Sequence, residues 1–427
     1  MTITDVIKMT AVELRNASFK DFVDMPGKDA ISWAAHFDAY IKNWLERGHW
    51  NYRQESLSGC MPEVELNLPG NANKTFVAMV FNDYLGFTQH PEVKAAAIAG
   101  IEEFGTGAAA SPAIGGHMRY HRQLEEKIAA FFKRDAAILF TTGYTANTAT
   151  MQALLKKDDL AILDMSVHAS MYEGVQGTKV KTFMHNDMQH LERQLRENQG
   201  KHRSMWVIVD GVYSQPADLA PLGEIIKLCK QHGAYLAMDD AHGVGVVGET
   251  GRGVIELHNA YKDVDLITGT FSKTFGHLGG YVVADEKLVN YLKFQAGQHI
   301  FSVTATPASA CILKSIDLID DEPWWRSKLW ENINYLKKGL QDLGLDTGSS
   351  ASAIVPVMTG SPGLNAEVCK WLLEAGVYAN QIGYPAVPKN KARIRMSVMA
   401  THSIDHMDRV LNAWEWVKTK MNIKNFE

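Results

Sequence analysis

Short apolar runs alternate with amphipathic segments from about residue 76 to residue 320. The runs are almost wholly apolar, which is typical of strands covered on both faces. The segments between them repeat apolar residues at helical spacing, as in residues 121–132. The pattern predicts a large α/β domain with a doubly wound, mostly parallel sheet. The seven predicted strands are Ala137–Phe140, Leu160–Leu163, Val180–Met184, Met205–Val209, Tyr235–Met238, Leu266–Thr268 and Tyr281–Ala284.

The two flanking regions have different patterns. Residues 1–75 are predicted to form an N-terminal helical extension, in which residues 31–45 place aromatic side chains at helical spacing as a packing face. Two alternatives stay open for this face: it could cover a neighbouring subunit, or it could contact a lipid surface. Residues 321–427 predict a smaller α+β domain. Its elements are helices at 325–343, 366–375 and 404–421, and strands at 353–358 and 392–398.

Composition narrows the class of protein. The 427 residues are 46% hydrophobic and 21% charged, as in ordinary soluble domains. The net charge of −5, without a basic block, argues against nucleic acid as a partner. No apolar run reaches the ~18 residues of a membrane span, and the N-terminus lacks a signal-peptide pattern. The four cysteines form no CxxC pair, so a reducing cytoplasm is expected.

A single lysine, Lys273, follows the strand predicted at 266–268, between hydroxyl residues and glycines. Burying an ammonium is costly unless its proton is removed or it is paired, and a covalent bond to an aldehyde meets that condition. The hypothesis is that Lys273 holds pyridoxal 5′-phosphate (PLP). A strand end with a solvated lysine is the simpler interpretation of this stretch taken alone.

Other strand ends carry groups that would suit PLP. Asp239 and Asp240 follow an apolar strand, with His242 close behind. PLP needs a carboxylate at its ring nitrogen, and His242 could donate to its phenolic oxygen. A metal site made of Asp239, Asp240 and His242 is the alternative. The helix start at Thr142 and Gly143 could bind a phosphate, and His168 could either stack on a flat ring or be a loop histidine.

These residues belong to a longer series of motifs. Over about residues 80–415 the chain resembles the α-oxoamine synthases, PLP-dependent enzymes of the aspartate aminotransferase fold (fold type I). The motifs that carry the resemblance stand at residues 82–86, 104–107, 121–125, 142–147, 167–170, 185–187, 210–214, 239–243, 251–253, 269–273, 301–304 and 392–395. The chain departs from the family at Ala110–Pro112, at Asp210 in place of glutamate, and at Ala305–Pro307.

The resemblance implies roles for individual residues. Lys273 would form the Schiff base and remove the α-proton, with Asp239 at the ring nitrogen, His242 at the phenolic oxygen and His168 stacked on the ring. The whole set expected to bind the cofactor is Thr142, Gly143, Tyr144, His168, Ser214, Asp239, His242, Thr270, Ser272, Lys273, Ser302 and Thr304.

The resemblance also implies a homodimer with a shared active site, because Ser302 and Thr304 match a segment that reaches the phosphate from the partner subunit. Asn82 and Arg395 would bind the amino acid, since a guanidinium fork suits a carboxylate. Whether Arg393 assists Arg395 stays open.

The reaction implied is a decarboxylative condensation of an amino acid with an acyl thioester carried by CoA or acyl carrier protein. Ser272 before the lysine, with Thr274 after it, looks closest to serine palmitoyltransferase. We therefore expect serine, or an analogue such as cysteate, and a long-chain acyl group. The alternatives are a glycine C-acyltransferase of the 2-amino-3-ketobutyrate CoA ligase or 8-amino-7-oxononanoate synthase type, and a non-catalytic nucleotide-binding module. A cytoplasmic location is expected, with peripheral contact at the inner face of the membrane left open.

Overall fold

A computed structural model describes residues 17–68 and 74–422 of the chain. Its strands are β1 (Glu63–Glu65), β2 (Thr75–Ala78), β3 (Ala136–Phe140), β4 (Leu160–Asp164), β5 (Lys179–Phe183), β6 (Met205–Asp210), β7 (Tyr235–Asp239), β8 (Leu266–Thr270), β9 (Gly280–Ala284), β10 (Ile354–Gly360), β11 (Val377–Tyr378), β12 (Asn380–Ile382) and β13 (Ala392–Ser397).

Its α-helices are α1 (Ala30–Glu46), α2 (Pro91–Phe104), α3 (Arg119–Phe131), α4 (Gly143–Leu154), α5 (Ala169–Gly174), α6 (Met188–Asn198), α7 (Leu222–His232), α8 (Val254–Leu257), α9 (Glu286–Gln295), α10 (Gly297–Phe301), α11 (Cys311–Asp321), α12 (Trp324–Asp342), α13 (Pro362–Glu374) and α14 (Ile404–Met421). Short 3₁₀ turns at Phe19–Phe22, Phe87–Gln89 and Pro307–Ala310 connect some of these elements.

The chain divides into two compact units. The sheet unit comprises residues 82–330 and 351–353, and the terminal unit comprises residues 1–81, 331–350 and 354–427. The described N-terminal residues therefore belong to the same unit as most of the C-terminal region. The three-part division into 1–75, 76–320 and 321–427 stays a prediction.

The sheet unit is built on seven strands in the order β3-β9-β8-β7-β6-β4-β5. β9 is antiparallel to β3 and β8, and the pairings from β8 through to β5 are parallel. The predicted doubly wound, mostly parallel sheet is confirmed, and every predicted strand lies within two residues of an observed one. All residues of β4, β6, β8 and β9 are buried, which explains why these strands lack an apolar–polar alternation.

The terminal unit contains two small sheets, β1-β2-β11 and β10-β13-β12. The strands predicted at 353–358 and 392–398 correspond to β10 and β13, and the helix predicted at 404–421 is α14. β11 and β12 were not predicted from the sequence, because strands of two or three residues carry no readable periodicity.

The N-terminal region is not wholly helical, since β1 lies inside it and β2 begins at its end. The aromatic stripe predicted at 31–45 corresponds to α1, which buries His36, Tyr40 and Trp44 at a spacing of four residues. Tyr40 and Trp44 belong to one buried cluster with Phe22 inside the terminal unit. The stripe is therefore a packing face, as predicted.

Two further observations concern the described residues as a set. None of the helices in the ranges 17–68 and 74–422 is long and apolar enough to cross a membrane. No disulfide joins the cysteines Cys60, Cys229, Cys311 and Cys369, all of which lie within these ranges.

Candidate active site

A cleft of about 720 Å³, open solvent included, lies in the sheet unit where its parallel strands end. The carboxyl ends of parallel strands meet at one edge of a sheet, so their following residues converge there. The lining residues are Thr142, Gly143, Tyr144, Asn147, His168, Asp210, Val212, Ser214, Asp239, Ala241, His242, Thr270, Ser272, Lys273 and Leu278. Ten of the predicted site residues are in this set.

Lys273 lies three residues beyond the end of β8, in a turn that side-chain hydrogen bonds hold in shape. Thr270 Oγ1 donates to the Gly279 carbonyl at 2.8 Å and accepts from the Ser272 backbone N–H at 3.1 Å. The Ser272 hydroxyl lies 2.7 Å from the same oxygen. Because the single proton of Thr270 goes to Gly279, Ser272 donates to Thr270. These hydrogen bonds therefore fix the backbone of the turn that holds Lys273 in the wall of the cleft.

The start of α4 lies directly against this turn. Thr142 caps the helix, and its side chain accepts from the Thr145 N–H at 3.0 Å. A Cβ added at Gly143 would lie 2.7 Å from Thr270 Cβ, so only glycine allows this close approach. The first N–H groups of a helix have no partner within the helix and favour anions. The helix start and the lysine turn thus face one small volume.

Asp239 and Asp240 have separate surroundings, although they are neighbours in the chain. Asp239 lines the cleft, and its Oδ1 accepts from the Ala241 N–H at 3.0 Å. Asp240 is fully buried and outside the lining set, and its Oδ2 accepts from the Val254 N–H at 2.7 Å. Burial raises the pKa of Asp240 to about 7.

The alternative metal site required Asp239, Asp240 and His242 to converge. A Cβ added at Gly243 would lie 2.1 Å from Asp240 Oδ1, so the Asp240 carboxylate occupies a pocket formed by backbone rather than by ligands. Within residues 17–68 and 74–422, no group of three or more histidine, cysteine, aspartate or glutamate side chains could hold a metal ion.

Two histidines line the cleft. The Nδ1 atom of His242 lies 2.6 Å from the Tyr84 hydroxyl, which lies 3.3 Å from Asn82 Oδ1. This chain of contacts connects Asn82, a predicted substrate residue, to the cleft wall. Burial by the surrounding protein lowers the pKa of His168, with Lys273 adding to this effect and Asp239 opposing it.

Asp210 is a lining residue to which the sequence analysis gave no role. It ends β6, is paired in register with Asp239, and accepts from the His168 N–H at 3.4 Å. Burial and then the charge of Asp239 raise the pKa of Asp210 well above its usual value. The signal available in the sequence was an acid directly after the apolar run Met205–Val209.

The comparisons with known proteins agree with this geometry. The family model of class I and II aminotransferases matches residues 74–413. An 8-amino-7-oxononanoate synthase of Thermoanaerobacter pseudethanolicus is 40% identical over 353 residues, which are 82% of this chain and 89% of that protein. A serine palmitoyltransferase of Bacteriovorax stolpii is 36% identical over 85% of this chain and 87% of its own. The chain belongs to the PLP-dependent α-oxoamine synthases.

A solved structure extends the likeness of this α-oxoamine synthase to three dimensions. The serine palmitoyltransferase of Sphingomonas wittichii superposes with a TM-score of 0.87 at 30% identity, over 93% of this chain and 100% of the other. The fold expected from the sequence, that of the PLP-dependent transferases, is therefore confirmed.

The cleft fits PLP on the chemistry of its donor set. PLP carries an aldehyde, a ring nitrogen and a phosphate. The cleft supplies the Lys273 amine for the aldehyde and the Asp239 carboxylate for the ring nitrogen. The start of α4, with the hydroxyls of Thr142 and Ser272 nearby, suits the phosphate. The assignment of each residue to its part of the cofactor stays a prediction.

Four further residues of interest lie outside the lining set. Thr304 is buried and its Oγ1 has no hydrogen-bond partner among the described residues, while Ser302 is half-buried. Arg395 is buried on β13 of the terminal unit, where its Nη1 donates to Ser397 Oγ at 3.1 Å. Arg393, on the same strand, donates from Nε to the Lys391 carbonyl at 3.1 Å. Their expected roles toward the phosphate and the substrate carboxylate stay predictions.

Proposed function

We propose that this α-oxoamine synthase joins serine, or a close analogue such as cysteate, to a long-chain acyl thioester. The thiol and CO₂ leave, and the product is a 3-oxo amine of the sphingoid or sulfonolipid type. The observation that carries the proposal is the extent of the structural likeness to serine palmitoyltransferase, which covers 93% of this chain. Ser272, which precedes Lys273 in the chain and lines the cleft with it, supports the same choice.

The residues would divide the work as follows. PLP, when bound, withdraws negative charge from the α-carbon of the amino acid. Lys273 Nζ takes the α-proton and later returns it, Asp239 keeps a positive charge at the ring nitrogen, and His168 orients the incoming amino acid. Arg395 binds its carboxylate with a two-pronged guanidinium. The surrounding protein excludes water, which strengthens each of these charge interactions.

The active form in this proposal is a homodimer. Ser302 and Thr304 would contact the phosphate bound by the partner subunit, with the thioester supplied by CoA or acyl carrier protein. Sedimentation of the Thr304→Ala variant beside the wild type, with measurement of PLP affinity, tests this part. Weaker PLP binding by an intact dimer is expected.

The second candidate is the 8-amino-7-oxononanoate synthase reaction, which the 40% identity favours. That product is an α-amino ketone with a methyl group on its amino-bearing carbon. It therefore requires alanine, and not the glycine expected from the sequence, together with an acyl thioester that ends in a second carboxylate.

Spectral titration of the purified holoenzyme separates the candidates. Serine, cysteate, alanine and glycine are added in turn, and the visible absorbance of the bound cofactor is recorded. Product formation is then measured with palmitoyl thioester and with a seven-carbon ω-carboxyacyl thioester. We expect serine or cysteate to respond at the lowest concentration and the long chain to be consumed. A response to alanine together with use of the ω-carboxyacyl substrate would replace our proposal by the second candidate.

A further inference from the structure

Two buried polar residues, Asn147 and Ser170, lie between Asp239 and His168. Asn147 is on α4 and is 2% exposed, and Ser170 is on α5 and is fully buried. Asn147 is one of the residues that line the cleft, whereas Ser170 is outside the lining set. Both residues lie within the motifs at 142–147 and 167–170, and neither is among the residues predicted to bind the cofactor or the substrate.

The amide of Asn147 has only one orientation that fits. Its nitrogen lies 2.6 Å from Asp239 Oδ2 and 2.9 Å from Ser170 Oγ. A carboxylate only accepts hydrogen bonds, so the NH₂ group must face Asp239, and its second proton goes to Ser170. The Asn147 Oδ1 atom is buried and has no hydrogen-bond partner among the described residues.

The direction of the next hydrogen bond follows. Ser170 Oγ already accepts from Asn147, and it lies 2.8 Å from His168 Nδ1. The Ser170 backbone N–H also points at this Nδ1 atom, at 3.4 Å. Two donors converge on Nδ1, which therefore acts as an acceptor. The ring proton of neutral His168 must then be on Nε2.

We propose that Asn147 and Ser170 are positioning residues that connect the Asp239 carboxylate to the tautomer and orientation of the His168 ring. The negative charge of Asp239 orients Asn147, Asn147 orients the Ser170 hydroxyl, and Ser170 fixes the proton of His168 on Nε2. The carboxylate that would hold the cofactor's ring nitrogen and the imidazole that would stack on its ring are thereby held as one unit. The inference depends on PLP in the cleft, which family membership supplies, and not on the identity of the amino acid.

A purely structural role would look different from this one. Polar groups buried in a core are satisfied by whatever partner is near, and replacing them changes stability without reaching the cofactor. Thr150 provides the matched comparison, because it is fully buried on the same helix and is outside the lining set. Its Oγ1 has no hydrogen-bond partner among the described residues, so Thr150→Val removes a buried hydroxyl that is not connected to His168.

The test uses holoenzyme labelled with ¹⁵N-histidine. The ring nitrogens of His168 are assigned by their loss in His168→Gln, and the pH titration of the cofactor absorbance is measured in parallel. In Ser170→Ala we expect a mixture of tautomers at His168, a shifted midpoint of the cofactor titration, and a kcat lower by about tenfold. Ser170→Thr, which keeps the hydroxyl, restores all three, and Asn147→Leu shifts the cofactor titration because Asp239 loses a donor.

Three outcomes would overturn the proposal. The first is a Ser170→Ala holoenzyme with the wild-type Nε2–H signals and titration midpoint. The second is an equal shift in Thr150→Val, which would make the effect a general response to core substitution. The third is loss of folding in both Ser170→Ala and Asn147→Leu while Thr150→Val folds normally, which would reassign both residues to the core.

Discussion

Two histidine–carboxylate clusters lie at the same edge of the seven-stranded sheet, and they differ in charge. In the cleft cluster, His168 follows β4 and is connected through Ser170 and Asn147 to Asp239. In the clamp cluster, His185 follows β5 and lies between Asp164 and Asp218. The surrounding protein lowers the pKa of His168. Burial also acts to lower the pKa of His185, but its two carboxylate partners outweigh burial and raise the pKa to about 9.

The difference shows what a direct carboxylate contact does to a histidine. His185 Nδ1 lies 3.0 Å from Asp164 and its Nε2 lies 3.0 Å from Asp218, so both ring nitrogens donate and the ring is a cation at neutral pH. His168 contacts a hydroxyl instead, which both donates and accepts, so its ring stays neutral. The clamp cluster therefore joins segments of the chain, while the cleft cluster keeps a neutral ring at the site of chemistry.

The largest expected effect comes from removing the charge of the cleft cluster. Asp239→Asn keeps the shape of the side chain but takes away the negative charge that we propose to lie at the cofactor's ring nitrogen. We expect the condensation rate to fall by about 10³-fold, with an altered cofactor absorbance and an unchanged melting temperature. Asp210→Asn at the neighbouring strand end is the matched control and should cost much less. Equal losses in the two variants would refute the special role of Asp239.

The corresponding change in the clamp cluster should act on stability. Asp164 is fully buried and accepts from His185 and from the backbone N–H groups of Ser166 and Asn186. Asp164→Asn leaves His185 with one charged partner, and we expect a loss of about 3 kcal/mol in the free energy of unfolding. Chemical denaturation measures this loss, and kcat per folded molecule should stay near the wild-type value. A large fall in kcat without loss of stability would show that the clamp takes part in catalysis.

Replacing each histidine by glutamine compares the two clusters directly. His168→Gln should lower kcat by about 10²-fold with little change in the melting temperature, because the neutral ring proposed to stack on the cofactor is lost. His185→Gln should lower the melting temperature and leave kcat nearly unchanged. The opposite result would be a lower melting temperature in His168→Gln and a lower kcat in His185→Gln. It would contradict the assignment of the cleft cluster to catalysis and of the clamp cluster to stability.

The smallest effect is a dependence of stability on pH. The pKa of His185 is raised from about 6.5 in the unfolded chain to about 9 in the fold, so its contribution is complete below about pH 6.5. The contribution is lost as the pH rises through 9, by at most about 1.4 kcal/mol for each pH unit. Melting curves from pH 6 to 10 should therefore fall more steeply for the wild type than for His185→Gln. Parallel curves for the two proteins would contradict the raised pKa.

The strands of the sheet unit and the short strands of the terminal unit differ in how well the sequence predicts them. The strands of the sheet unit were predictable because burial on both faces requires continuous apolar runs, which need no knowledge of the partner strand. The short strands β11 and β12 were not predictable, because each forms only by pairing with another strand. β11 pairs with β2, which is far away in the chain, and β12 pairs with β13. Residues 31–45 were predictable as a packing face because a stripe at helical spacing must be covered.

The candidate site was predictable where a residue follows a strand of the parallel sheet. Lys273, Asp239 and His242 meet in the cleft because the carboxyl ends of such strands lie together. The separate surroundings of Asp239 and Asp240 could have been anticipated, since successive side chains of an extended chain point to opposite faces. Asn147 could also have been found, because it lies one helical turn after Gly143 and therefore on the same face of α4.

The sequence by itself determined the reaction class, through a lysine, an acid and a histidine placed after apolar strands in the order of one family. The tertiary structure alone decided the protonation of the two histidines His168 and His185. Asp164 and Asp218 convert His185 into a cation, while Asn147 and Ser170 keep a proton off His168 Nδ1. The physical reason is that a pKa depends on the few atoms in contact with the group, and here those atoms come from segments 2 to 92 residues apart in the chain.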